Sequence, residues 1–224
     1  MTTSTNFPRT DHELQQAVLN ELDWTPDVDA SHIGVAVTSG VVTLTGEVPS
    51  YSARLAAKKA ALRVRGVTAL ADDLTVHYLG GPVTDTDIAE AARSALQGNS
   101  VQTLGSITAE VSNHTITLTG VVDWNYEREA ASHAVEHLRG VKSVRNLITL
   151  KERASAVDTK IRVKNAIARQ AALDAENILV EVDGTEVTLT GRVANWNERK
   201  TAGRAAWSSP HVTAVHNQLD VQPE

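Results

Sequence analysis

The chain has 224 residues, 42% of them hydrophobic, and a formal net charge of −6, enough apolar content for a small core or several thin ones. Its 21 basic and 27 acidic residues run without a strongly basic block, which argues against generic nucleic-acid binding through phosphate neutralisation. The absence of cysteine removes disulfides, zinc–thiolate sites and thiol catalysis together.

Met1 to Leu14 is polar and carries no apolar h-region, so the sequence predicts no secretory signal. No run approaches the ~18 apolar residues of a spanning helix. Both features predict a soluble, cytoplasmic chain, at most peripheral at the inner membrane.

Thr10-Asp11-His12-Glu13 has the capping-box pattern, and Leu14, Val18 and Leu22 follow at helical spacing, which predicts a helix from about Asp11 to Leu22. Pro26 closes it by pushing the residue before it out of the α region. Asp27 to His32 reads as a loop. Ile33, Val35 and Val37 then alternate, Thr38-Ser39-Gly40 turns the chain, and Val42 and Leu44 return on the same face, predicting a hairpin with one buried side. Gly46 is expected to close its second strand. A helix follows from about Ser52 to Arg65, with Ala53, Ala56, Ala57 and Ala60 as its buried stripe and Gly66-Val67 as its glycine stop. Leu70, Leu74 and Val76 predict a third strand.

This order occurs three times. Val42-Thr43-Leu44-Thr45-Gly46 returns as Ile116-Thr117-Leu118-Thr119-Gly120 and as Val187-Thr188-Leu189-Thr190-Gly191. An internal repeat of this kind decides the architecture. Ile88, Ala92 and Leu96 match the first helix, Ala130, Ala131 and Ala134 the alanine stripe, and Gly140-Val141 the stop. The third repeat departs in two places: Thr159 replaces an apolar residue, and Pro210-His211 stands where the others have glycine, so its helix end must be built differently. Short linkers, Gly80-Gly81-Pro82 and Lys151-Glu152-Arg153, join the units. The expected domains are residues 8–79, 82–152 and 155–222.

The hairpin ending in Val-Thr-Leu-Thr-Gly, the alanine-rich helix, Gly-Val, and a strand with Asn146-Leu147 or Asn217-Gln218-Leu219 together resemble the BON domain. The first repeat has Asp72 where the other two have Asn146 and Asn217. The resemblance implies an α+β fold of three tandem αββαβ units, each a three-stranded mixed sheet with two helices on one face. It implies a bacterial, osmotic-stress-associated binding protein without an active site, a class also described as transport-associated, whose partner is an anionic phospholipid surface or a protein client. One cytoplasmic relative in the family binds potassium, so K⁺ held by backbone carbonyls near the domain junctions is an alternative. A multivalent adaptor that adds weak contacts across repeats is another.

The residues support no enzyme. There is no GxSxG elbow, no phosphate loop ending in Gly-Lys-Ser/Thr and no GxGxxG, and no glycine lies three from another, so the GxxG clamp for RNA is absent as well. Glu129, His133 and His137 fall on one face of a predicted helix, but HAVEH is not HExxH, and they read as a solvated face rather than a metal site. No cofactor is expected.

The candidate contact residues lie just beyond the motif glycines. Tyr51, Trp124, Tyr126 and Trp196 place rings there in every repeat of a chain with a single Phe. They read either as covers for the strand end or as exposed rings suited to a membrane interface or a partner pocket. Arg54, Arg128 and Arg199 share one offset from the glycine, and Lys58 and Lys200 extend the basic faces, each cation near a surface attracting anionic headgroups by ~1 kcal/mol.

Overall fold

The computed structural model describes residues 10–78, 80–98, 107–151, 159–170 and 177–222. The expected domain limits at 8, 79, 152 and 155, and most of the Lys151-Glu152-Arg153 linker, lie outside them.

The first unit comprises α1 (Asp11–Asp23), β1 (Ile33–Thr38), β2 (Val41–Val48), α2 (Tyr51–Arg63) and β3 (Ala69–Val76). Helix α1 starts on the expected capping box: Glu13 N donates to Thr10 Oγ1 at 3.3 Å, and Thr10 N donates to the Glu13 carboxylate at 2.8 Å. Its next carboxylate does a second job. Asp11 accepts from Ser39 N at 2.7 Å and Gly40 N at 3.1 Å, tying the helix start to the hairpin tip. Ser39 and Gly40 both have positive φ, 51° and 78°, the geometry that lets a two-residue turn follow the right-handed twist of the strands. Strand β1 pairs antiparallel with β2, which pairs parallel with β3 across the α2 crossover. Leu14, Val18, Leu22, Val42, Leu44, Ala57 and Ala60 form the core between helices and sheet. Each fully buried Leu or Val contributes about 1.5–3 kcal/mol, and the alanines let α2 lie close to the sheet.

The second unit comprises α3 (Asp85–Gly98), β4 (Thr108–Ser112), β5 (Thr115–Thr119), β6 (Val121–Val122), α4 (Asn125–Glu136), β7 (Ser143–Asn146) and β8 (Thr149–Leu150). The third comprises α5 (Thr159–Ala168), β9 (Ile178–Asp183), β10 (Glu186–Val193), α6 (Trp196–Trp207) and β11 (Ala214–Val221). Each has its own core cluster, around Ile116 and Leu118 in the second and Val187 and Leu189 in the third. Thr159 sits in that third core at 1% exposure.

Three expectations need correction. The described residues form four sheets rather than three, because the second unit divides into β4-β5-β7 and β6-β8. In the other units the first strand pairs as far as the motif glycine, Ile33 with Gly46 and Ile178 with Gly191. In the second the ladder stops at Thr108 with Thr119, so Gly120, at φ 143°, is clamped on one side only. Leu147 N to Leu118 O and Thr149 N to Gly120 O bridge the gap.

Nor does Gly46 close β2, which runs on to pair Val48 with Val76. Its φ of 114° and the approach of the His32 carbonyl, into which a Cβ would collide, are what require glycine; Gly191 stands the same way against Asn177. Finally, α2 ends on Val64 in extended conformation, and Gly66 (φ 106°) lies one residue beyond the usual glycine-stop position, turning the chain toward β3. The third repeat, lacking that glycine, ends α6 on Ser208 in the αR region, with Val212 N donating to Ser209 O.

Candidate functional site at the helix starts and the repeat seams

Each motif glycine feeds a helix start, and each start is capped from a different residue. Ser50 Oγ accepts from Ala53 N at 3.1 Å, and Asn195 Oδ1 accepts from Glu198 N at 2.9 Å. Trp124 has no oxygen to offer, and the buried Glu127 compensates by accepting from both Asp123 N and Trp124 N at 2.9 Å.

These starts place the rings differently. Tyr51 and Trp196 occupy the first position of α2 and α6 and are half-buried. In α4 that position holds Asn125, and Trp124 and Tyr126 flank it. One residue along a helix is a rotation of about 100°, so both rings swing outward, to 40% and 60% exposure.

The half-buried rings do not cover their own strand ends alone. Tyr51, in the first repeat, packs against the core of the second. Burial raises its phenol pKa; a hydrogen bond with the Val144 backbone opposes this, and Glu136 of the second repeat adds to it. Trp196, in the third repeat, packs against the cores of the third and the first. Arg128, in the second repeat, stacks over Trp207 of the third at 4.8 Å, and burial lowers the pKa of its guanidinium against a smaller opposing pull from Glu129. The repeats therefore meet head to tail in a closed cycle, first to second, second to third, third to first. Glu136 and Trp207 stand at the same distance from their motif glycines as Leu62, which lines the seam with Trp196. One register on α2, α4 and α6 thus receives the contact each time.

The basic residues divide likewise. Arg54 Nε reaches Asp72 at 3.0 Å and Lys58 Nζ reaches it at 2.9 Å, so the first repeat's aspartate gathers two cations. Where the other repeats have asparagine, the amide instead donates to a backbone carbonyl: Asn146 to Arg128 O at 2.9 Å, Asn217 to Arg199 O at 2.7 Å. That leaves the Arg128 side chain to reach the third repeat. Arg199 donates to Leu219 O and Asn217 O and stacks on Trp196 at 5.0 Å. Lys200 is exposed; burial first, then Arg204 and Lys59, lower its pKa, with Glu129 opposing.

Two cavities open on the seams. One of about 620 Å³ between the first and second repeats has His133, Glu136 and His137 facing Lys59 and Arg63. One of about 460 Å³ between the first and third has Trp196, Arg199 and Lys200 facing Lys59, Leu62 and Arg63. His133 Nδ1 lies 2.9 Å from Glu136, and Glu129 bonds Asn125 at 3.1 Å, so the helix-face trio does not converge; among the described residues no group of three or more His, Asp or Glu is placed to hold a metal ion. Nor is any helix among them long and apolar enough to cross a membrane. The sequence reading named Tyr51, Trp196, Arg199 and Lys200 but not their counterparts Leu62 and Trp207. The available signal for Trp207 was a tryptophan at a helix position that Leu62 and Glu136 share.

Among curated proteins, the chain is 28% identical over 125 residues to osmotically-inducible protein Y of Escherichia coli K12, covering 54% of this chain and 62% of that relative. The match therefore spans less than two thirds of the relative's length. Two solved structures of CdsD, a structural protein of the type III secretion system of Chlamydia trachomatis, align at 14% and 12% identity with TM-scores of 0.26 and 0.27. The first alignment covers 96% of this chain and all of the C-terminal domain structure, the second 93% and 92%. The BON domain model matches three times, at residues 10–78, 84–152 and 156–223, and the chain therefore belongs to the BON domain family.

Proposed function

We propose that the chain is a non-enzymatic binding protein of osmotic-stress adaptation that docks on anionic phospholipid surfaces through its second repeat. The observation that carries this is the exposure of Trp124 and Tyr126, while the corresponding rings of the other repeats are packed into the seams. Val121 on β6 and Leu147 between β7 and β8 are exposed in the same repeat. Arg145 on β7 and Lys151 just after β8 are exposed and basic. Exposed amphipathic rings and exposed cations in one repeat suit a headgroup layer, where each basic residue near the surface adds about 1 kcal/mol. The match to an osmotically inducible protein supports the stress role. Arg54, Lys58, Arg128 and Arg199 are engaged within the protein, so in this reading they shape the surface instead of touching lipid. Docking would take place on the cytoplasmic leaflet.

Co-sedimentation with phosphatidylglycerol vesicles at low and high salt tests the reading. The full chain should bind at low salt, release at high salt, and lose binding on Trp124→Ser/Tyr126→Ser. Binding unchanged in that variant, or absent at low salt, would overturn it.

A further inference from the structure

The cavity between the first and third repeats has an excess of positive charge that the fold does not use. Lys59 and Arg63 reach it from α2, and Arg199 and Lys200 from α6. Of the four, only Arg63 has a carboxylate partner among the described residues, Glu21 of α1 at 2.8 Å. Arg199 donates to backbone carbonyls through Nε and Nη2 and has no carboxylate partner among the described residues, which leaves its charge uncompensated and its Nη1 available to a ligand. Among the described residues, neither the Lys59 nor the Lys200 ammonium has a carboxylate within salt-bridge distance. Burial first, then Arg204 and Lys59, disfavour the charged form of Lys200, and Glu129 compensates in part. Like charges gathered in a concavity destabilise a fold unless an anion joins them.

The remaining wall is partly apolar. Leu62 and the Trp196 ring supply its apolar part, Asn197 and Asn217 line the rest, and the Trp196 indole N–H is buried without an acceptor among the described residues. At about 460 Å³ the space exceeds a bare phosphate and falls in the range of small-molecule sites. We infer that this cavity binds a small organic phosphate, its phosphates held by Lys59, Lys200 and Arg199 and its apolar body laid against Leu62 and Trp196. Because the walls come from two repeats, an occupant clamps the third-to-first seam. The site is separate from the lipid-docking face and does not rest on it.

Isothermal titration of the full chain with pyrophosphate, ADP and dihexanoyl phosphatidylglycerol, at matched ionic strength, tests the site. ADP or the short-chain lipid should bind saturably and more tightly than pyrophosphate, and which of the two binds identifies a nucleotide or a lipid headgroup as the source. Lys200→Gln should weaken binding by about tenfold, the loss of one charge-assisted contact, and Lys59→Gln/Lys200→Gln by more. Both variants should melt no lower than the unmodified chain, since they relieve like-charge crowding, and both should keep vesicle binding. No saturable binding of any probe, pyrophosphate binding as tightly as both organic probes, or affinity unchanged in the double variant would overturn the assignment. Failure on vesicles with ADP binding intact would overturn the lipid reading alone.

Discussion

Arg128 of the second repeat holds its guanidinium 4.8 Å from the ring centroid of Trp207 in the third, so a residue from one repeat's helix start reads a register position on the next repeat's helix. A desolvated cation over an indole contributes about 0.5–2 kcal/mol. A double-mutant cycle of Arg128→Ala and Trp207→Leu, followed by denaturant unfolding, should give a coupling energy in that range. Additive effects would show that the seam is held elsewhere.

Gly46→Ala should cost clearly more than Gly184→Ala. Both sites have positive φ: 57° at Gly184 lies in the left-handed region, which costs an L residue about 1–2 kcal/mol, and 114° at Gly46 lies outside it, where an L residue is less tolerated still. Only at Gly46 does the new Cβ also meet a carbonyl, that of His32, while a Cβ added at Gly184 meets nothing within 4 Å. Midpoints from urea titration of the two variants compare the sites, and equal losses would remove both the carbonyl contact and the wider φ from the explanation.

Tyr51 should make stability sensitive to alkali. Its pKa is raised chiefly by burial, so the folded state favours the neutral phenol. The contribution is complete below the unfolded value of 10.0 and is lost as pH rises through the folded value. Tyr51→Phe removes the titrating group, and its melting temperature should fall less steeply above pH 10 than that of the unmodified chain. Parallel curves would show that the phenol stays solvated.

Much of the fold was legible because its signals are local. Leu14, Val18 and Leu22 carry a helical period, Ile33, Val35 and Val37 a strand period, and the threefold return of the Val-Thr-Leu-Thr-Gly segment joins them into units. The seams were not legible, because they depend on rotation about a helix axis. Tyr51, Trp124, Tyr126 and Trp196 look alike when counted from the glycine, yet a one-residue offset decides which ring is half-buried and which is exposed. The Asp72 departure was visible, but that it would draw in Arg54 and Lys58 requires knowing that β3 passes beneath α2. The divided sheet of the second unit turns on whether a strand reaches its glycine, one residue of pairing that no side-chain pattern records.

Among the described residues, the head-to-tail closure gives each of the three repeats a partner at both of its seam surfaces. A fragment containing only the first two repeats would leave two of these surfaces open: the α2 surface that receives Trp196, and the α4 surface that presents Arg128. Head-to-tail surfaces left open propagate from copy to copy instead of stopping at a dimer. Such a fragment should therefore sediment as a concentration-dependent series, and adding the isolated third repeat should collapse the series to a single species. A fragment that stays monomeric at high concentration would show that the units are tethered neighbours rather than links in a ring.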